Sequence, residues 1–189
     1  MIIEITPERE CHYPNTIRDY NKDSLKIFLA GTIDNGESYD WQQALIWKLA
    51  LYTCTPDNEE DLGSGYDFSL GAEDDNDIII FNPRRANWSS NATDEDVVKQ
   101  IEWEQEHLDQ ADLIVMYLAD NSKSPISLLE LGLYGPQGKM LVCCTNKFYR
   151  YNNVKCTCDK YMIDLYESND IKDIVDEIAL IYNEIISSK

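Results

Sequence analysis

The chain has no apolar run long enough to cross a bilayer, which sets aside a membrane-spanning helix. Nor does Met1-Ile2-Ile3-Glu4 open a basic segment followed by an apolar one, so no secretory leader is expected and the expected compartment is the cytoplasm. Positive charge is scarce: 16 Lys and Arg face 35 Asp and Glu, for a formal net charge of −19. A surface of that sign repels polyphosphate backbones and anionic lipid, so neither a nucleic-acid polymer nor a membrane is an expected partner; a single nucleoside or nucleotide is not excluded. Histidine is limited to His12 and His107. The six cysteines include Cys143-Cys144 and Cys156-Thr157-Cys158 but no C-x-x-C pair, so no zinc site is expected. Reduced thiols fit a cytosolic chain, and Cys143 and Cys144, inside an apolar run, are expected in the core. G-x-G-x-x-G and G-x-x-x-x-G-K-[ST] are both missing, which disfavours dinucleotide redox enzymes and P-loop hydrolases.

What is present reads as one domain of 189 residues with 43% apolar content, enough for a substantial core. Residues 1–24 form an N-terminal arm or an edge strand; the sequence fits either. Lys26-Ile27-Phe28-Leu29-Ala30 reads as a buried strand ending at Gly31-Thr32, and a helix is expected over 38–52, where Trp41, Leu45 and Leu49 recur at helical steps. Two acidic runs flank three glycines across 55–77, an insertion expected to be a solvated loop because its oxygens lack calcium-loop spacing. Further strands are expected at 78–81, 113–118, 140–144 and 161–164. Between them, Thr93 is placed to cap a helix from 94 to about 110 with Asp96 at its third position, and Ile101, Leu108 and Ala111 mark its apolar face. An aromatic loop spans 148–154, and 171–185 is an amphipathic helix. Strands alternating with helices predict an α/β fold on a mainly parallel sheet of five strands.

The stretch Ser124-Pro125-Ile126-Ser127-Leu128-Leu129-Glu130-Leu131-Gly132 follows the strand at 113–118 and opens a helix with proline in its first turn. Ile126, Leu129 and Leu133 give it an apolar spacing. Glu130 stands one turn in, where the loops of an open sheet bind ligands. A carboxylate there suits a nucleophile or an acid–base group, and a solvated helix glutamate fits the same spacing.

Several segments, taken together, resemble the nucleoside 2-deoxyribosyltransferase family, in particular its nucleoside 2-deoxyribosyltransferase-like branch. They are Ile27-Phe28-Leu29-Ala30-Gly31-Thr32-Ile33, Asn82-Pro83-Arg84-Arg85, Gln100-Ile101-Glu102-Trp103-Glu104, Ala111-Asp112, Ser127-Leu128-Leu129-Glu130-Leu131-Gly132 and Asn153-Val154. The resemblance implies a flavodoxin-like (Rossmann-like) three-layer sandwich and an enzyme needing no cofactor. It implies Glu130 as a nucleophile that attacks C1′ of a 2′-deoxynucleoside, forms a covalent deoxyribosyl-enzyme and passes the sugar to another base. Glu104, 26 residues earlier, stands where the family has an aspartate that engages the base. Gly31, Thr32, Ser124, Trp103 and Arg84 are the corresponding substrate-binding candidates. Asn153 matches an asparagine that reaches a neighbouring subunit's site, which implies a homo-oligomer.

Each position has a structural alternative. Gly31 fits a tight strand-to-loop turn, Ser124 a helix cap, Trp103 the core, Arg84 and Arg85 salt bridges, and Asn153 a turn. Ser124 also replaces an aspartate of the transferases and resembles the phosphate-holding serine of deoxynucleoside 5′-monophosphate N-glycosidases. A hydrolase of that kind is the alternative reading, and a non-catalytic nucleotide-binding module is a further one.

Overall fold

A computed structural model describes residues 2–8, 24–53, 78–85 and 93–187. The acidic insertion at 55–77 and most of the expected N-terminal arm lie outside the described residues. Six strands form one sheet: β1 (Ile2–Ile5), β2 (Leu25–Gly31), β3 (Ile78–Phe81), β4 (Leu113–Leu118), β5 (Met140–Cys144) and β6 (Asp164–Tyr166). Their order is β1-β3-β2-β4-β5-β6, and every pairing is parallel. The central strands are continuous apolar runs buried along their length, as a sheet covered on both faces requires.

The sheet has six strands where five were expected. The sixth is Ile2–Ile5, which pairs along β3 with Ile2 opposite Ile78 and Ile5 opposite Phe81. Four residues carry too little pattern to separate an edge strand from an arm; backbone pairing with β3 decides it. Glu4 is also tied to the next loop, its Oε1 accepting from Asn82 Nδ2 at 2.8 Å. At the other edge, β6 begins at Asp164 rather than 161, and the expected loop at 148–154 gives way to a helix from Tyr151. That helix runs to Tyr161 and ends at Met162, whose left-handed φ of 56° turns the chain into the strand.

Among the described residues, helices α1 (Trp41–Thr53), α2 (Asp94–Gln110), α3 (Pro125–Tyr134), α4 (Tyr151–Tyr161) and α5 (Ile171–Ser187) complete the layers. Trp41, Leu45 and Leu49 of α1 and Ile174, Val175 and Ile178 of α5 bury one face of the sheet. Leu108 of α2, Leu131 and Tyr134 of α3, and Val154 and Cys158 of α4 bury the other. This is the flavodoxin-like three-layer α/β sandwich. Cys143 and Cys144 lie in the core as free thiols, and Cys158 is buried with them.

Local chemistry sets the helix ends. Thr93 and Asp96 close a reciprocal capping box on α2, as its sequence predicts. At the far end of α2, Lys139 Nζ donates to the carbonyls of Leu108, Asp109 and Ala111, neutralising acceptors left unpaired by the helix. The apolar faces expected from spacing need two corrections. Ile101 of α2 is exposed, and on α3 Ile126, Leu129 and Leu133 face outward at 58–60% exposure while Ser127, Leu131 and Tyr134 turn inward. Helix α3 is apolar on more than one side, so periodicity alone does not choose the face that packs.

Candidate active site

Connections leave β2 and β4 in opposite directions, β2 through α1 to β3 and β4 through α3 to β5. In open α/β sheets the crevice outside the carboxyl ends of such strands is where ligands bind. Gly31, the last residue of β2, has φ 127°, and a Cβ there would lie 2.1 Å from the carbonyl oxygen of Tyr117. The glycine is required by the adjacent strand, which accounts for it without a ligand.

From that point a chain of hydroxyls joins β2 to the start of α3. Ser122 Oγ donates to Asp34 Oδ1 at 2.8 Å, a carboxylate that only accepts. Its single proton thus spent, Ser122 Oγ accepts from Ser124 Oγ at 2.9 Å, and Ser124 in turn accepts from Thr32 Oγ1 at 2.7 Å. Thr32 Oγ1 also accepts from the Ala119 N–H at 3.0 Å. Thr32 and Ser124 are both buried. Ser124 has the left-handed φ of 40° and no side-chain cap bond, so it is not the helix cap its sequence suggests. Its hydroxyl fixes the loop that launches α3.

Arg84 is drawn into the same corner. Its Nη2 donates to the carbonyls of Gly36 and Ser38 at 2.9 and 2.8 Å, and its Nε pairs with Asp40 at 3.4 Å. Arg85 donates to Gln100 Oε1 and to the Asp96 carbonyl. Gln100 then uses its own amide, donating to the Pro83 carbonyl at 3.0 Å and to Glu104 Oε1 at 2.7 Å. Gln100 is the link that motif reading passed over; its place one turn before Glu104 on α2 was the available signal.

Glu104 on α2 and Glu130 on α3 both have raised acidities, and the Glu104 charge acts on Glu130. Burial raises the Glu104 carboxyl, opposed by the Gln100 hydrogen bond and the Arg85 charge. Burial, and then the Glu104 charge, pushes Glu130 up to about 8. With its carboxyl pushed up to about 8, Glu130 retains its proton near neutral pH. Displaced acidities of this kind cluster at functional sites.

Other candidates fall elsewhere. The Trp103 ring stacks on His107 at 4.1 Å between centroids and packs against the core near Phe28. Asn153 lies exposed on α4 and lines a shallow cavity of about 320 Å³ with Leu128, Gly132, Tyr149 and Arg150. At about 100° per residue, Glu130 emerges on the opposite side of α3 from Leu128 and Gly132. Asn153 and Glu130 of one chain therefore flank α3 from two sides. A second cavity opens on the α1 face of the sheet, and neither Glu104 nor Glu130 lines either one.

An open parallel sheet in three layers, with partly buried Glu104 and Glu130 on helices of one face, defines a flavodoxin-like α/β protein. A family model described as nucleoside 2-deoxyribosyltransferase like matches residues 24–148, more than half of the chain, and the chain belongs to that family. The match runs from the start of β2 past β5 and takes in Gly31, Thr32, Arg84, Trp103, Glu104, Ser124 and Glu130; Asn153 lies beyond it. Membership implies a nucleoside-modifying protein with a small nucleoside as ligand. No curated protein matches the chain in sequence. No helix among the described residues is long and apolar enough to cross a membrane.

Proposed function

We propose that the protein cleaves the N-glycosidic bond of a 2′-deoxynucleoside and transfers the sugar to a second base. Glu130, as the carboxylate, attacks C1′; the Oε–C1′ bond forms as the C1′–N bond breaks, and the bonding pair leaves with the base. Glu104 gives the departing nitrogen a proton. The incoming base then displaces the glutamate at C1′, and its own proton returns to Glu104, so the configuration at C1′ is retained. The observation that carries this reading is the partly buried Glu104 and Glu130 on α2 and α3, with the Glu130 carboxyl pushed up to about 8 by burial and then by the Glu104 charge. One ionised and one protonated carboxyl is the set that double displacement uses. In the free protein that proton rests mainly on Glu130, so the reactive form has it moved to Glu104.

The alternative, hydrolysis of a 5′-monophosphate, needs groups for the phosphate. Ser124 is buried in the hydroxyl chain, while Arg84 and Arg85 are engaged by Gly36, Ser38, Asp40, Gln100 and Asp96, which favours the unphosphorylated nucleoside. The working unit is a homo-oligomer in this reading. Ile126, Leu129 and Leu133 on α3 and Val97, Val98 and Ile101 on α2 are exposed on the same side of the sheet. A second copy laid there shields the Glu130 side of α3 and brings Asn153 toward a neighbouring site.

Incubation with a 2′-deoxynucleoside, with and without a second base, tests the reaction. Base exchange together with a deoxyribosyl adduct on Glu130, read by mass spectrometry, is the expected result. Release of free deoxyribose or its phosphate supports the hydrolase, and binding with no turnover supports a non-catalytic module.

A further inference from the structure

The segments 82–85 and 100–104, far apart in the chain, meet at one side chain. Gln100 is buried on α2, one turn before Glu104. Its Oε1 accepts from Arg85 Nε. Its Nε2 donates to the Pro83 carbonyl at 3.0 Å and to Glu104 Oε1 at 2.7 Å. A guanidinium only donates and a backbone carbonyl only accepts, so the amide has one allowed orientation. Turned over, it sets its N–H groups against Arg85 and its oxygen against both the Pro83 carbonyl and the Glu104 carboxyl. Arg85 is anchored in turn by donation to the Asp96 carbonyl at 3.2 Å, in the first turn of α2. Glu104 Oε1 is thus taken by a donor, while Oε2 accepts no hydrogen bond among the described residues. A carboxyl bonded in this way carries its proton on Oε2, because the carbonyl-type oxygen is the better acceptor.

We propose that Arg85 and Gln100 form a positioning relay for Glu104, which presents Oε2 as the oxygen that exchanges a proton with the base. The inference rests on the proposed reaction, in which Glu104 protonates the departing nitrogen. Both residues act through Glu104: Arg85 locks the amide, and the amide locks the carboxyl. Released from Gln100, the carboxyl turns about its last bond and its proton divides between two oxygens. The relay also bears on acidity. Burial raises the Glu104 carboxyl, and the Gln100 hydrogen bond and then the Arg85 charge oppose that rise. Arg85, from the loop after β3, is the cation that acts on Glu104, and Glu104 in turn acts on Glu130 of α3. Glu104 so held yields its proton to a leaving base more readily than a carboxyl that is merely buried.

The test compares the full chain with Gln100→Met, which keeps the side chain's length without its hydrogen bonds, and with Arg85→Met, which leaves Gln100 in place but unlocks it. Base exchange between a 2′-deoxynucleoside and a second base is expected to lose about tenfold in kcat in Gln100→Met and severalfold in Arg85→Met, with KM within about threefold of the parent. The second readout is an NMR titration with glutamate labelled at its side-chain carboxyl carbon, the Glu104 signal being the one lost in Glu104→Gln. There the Glu104 midpoint is expected to rise by about one pH unit in Gln100→Met and by less in Arg85→Met. An unmoved midpoint overturns the relay whether or not the parent exchanges bases, and so does an unchanged kcat in Gln100→Met. A moved midpoint in a parent that exchanges no base upholds the hold on Glu104 and refutes only the reaction. Should Gln100→Met not fold, Arg85→Met, at a partly exposed side chain, decides on the same two readouts.

Discussion

Replacing Glu130 by glutamine removes a group that holds its proton in the folded chain up to a pH of about 8 and loses it near 4.5 when unfolded. Below 4.5 both states are protonated, and the residue adds no pH dependence. Between 4.5 and about 8 the folded state binds more protons than the unfolded one, so stability falls as pH rises, by at most about 1.4 kcal/mol per pH unit. Above that range both states are ionised and the penalty is constant. Glu130→Gln carries no such penalty. Its advantage over the parent is expected to grow from near zero at acid pH to about 2–3 kcal/mol at neutral pH, with water at the partly exposed carboxyl holding it below the full linkage value. Urea unfolding followed by tryptophan fluorescence from about pH 5 to about pH 9 measures the difference, and contributions from shared groups cancel. An offset that stays constant across that range, or a parent more stable than the variant at alkaline pH, refutes the burial argument.

The same coupling predicts the pH profile. In the parent, kcat/KM is expected to fall through about pH 8, as the carboxyls lose the one proton that the departing base requires. Glu104→Gln removes the seat of that proton together with the neighbouring charge, so the fall is expected to vanish while kcat drops roughly a hundredfold; a fall that persists contradicts the pairing. Gly31→Ala sets a methyl 2.1 Å from the Tyr117 carbonyl, so a loss of about 3 kcal/mol and a melting point roughly 10 °C lower are expected in a thermal scan. Leu129→Glu with Leu133→Glu puts charge on the outward face of α3, and sedimentation is expected to show a monomer with unchanged circular dichroism. A parent that sediments as a monomer removes the oligomer from the reading.

Legibility in the sequence followed the range of the interactions. The strands at 78–81, 113–118 and 140–144 were readable because strands buried on both faces are continuous apolar runs. The α2 capping box was readable because both partners lie within three residues. Glu130 and Glu104 stood out through their place on the α/β pattern and the family resemblance. The effect of the Glu104 charge on Glu130 was not readable, since it depends on where the fold sets α2 relative to α3. Asn169 and Asp120, 49 residues apart, carry no motif, and only the fold sets them on one cavity wall.

Taken by itself, the sequence determined the α/β alternation, the acidic surface and the residue types available for chemistry, because these follow from composition and periodicity along the chain. The tertiary structure alone decided that Ile2–Ile5 joins the sheet, that α3 turns its leucines outward, and that Thr32 and Ser124 bond to each other. It also decided that burial pushes the Glu130 carboxyl up. Each of these depends on which distant segment occupies the adjoining space, and burial and through-space charge take their size from that neighbour.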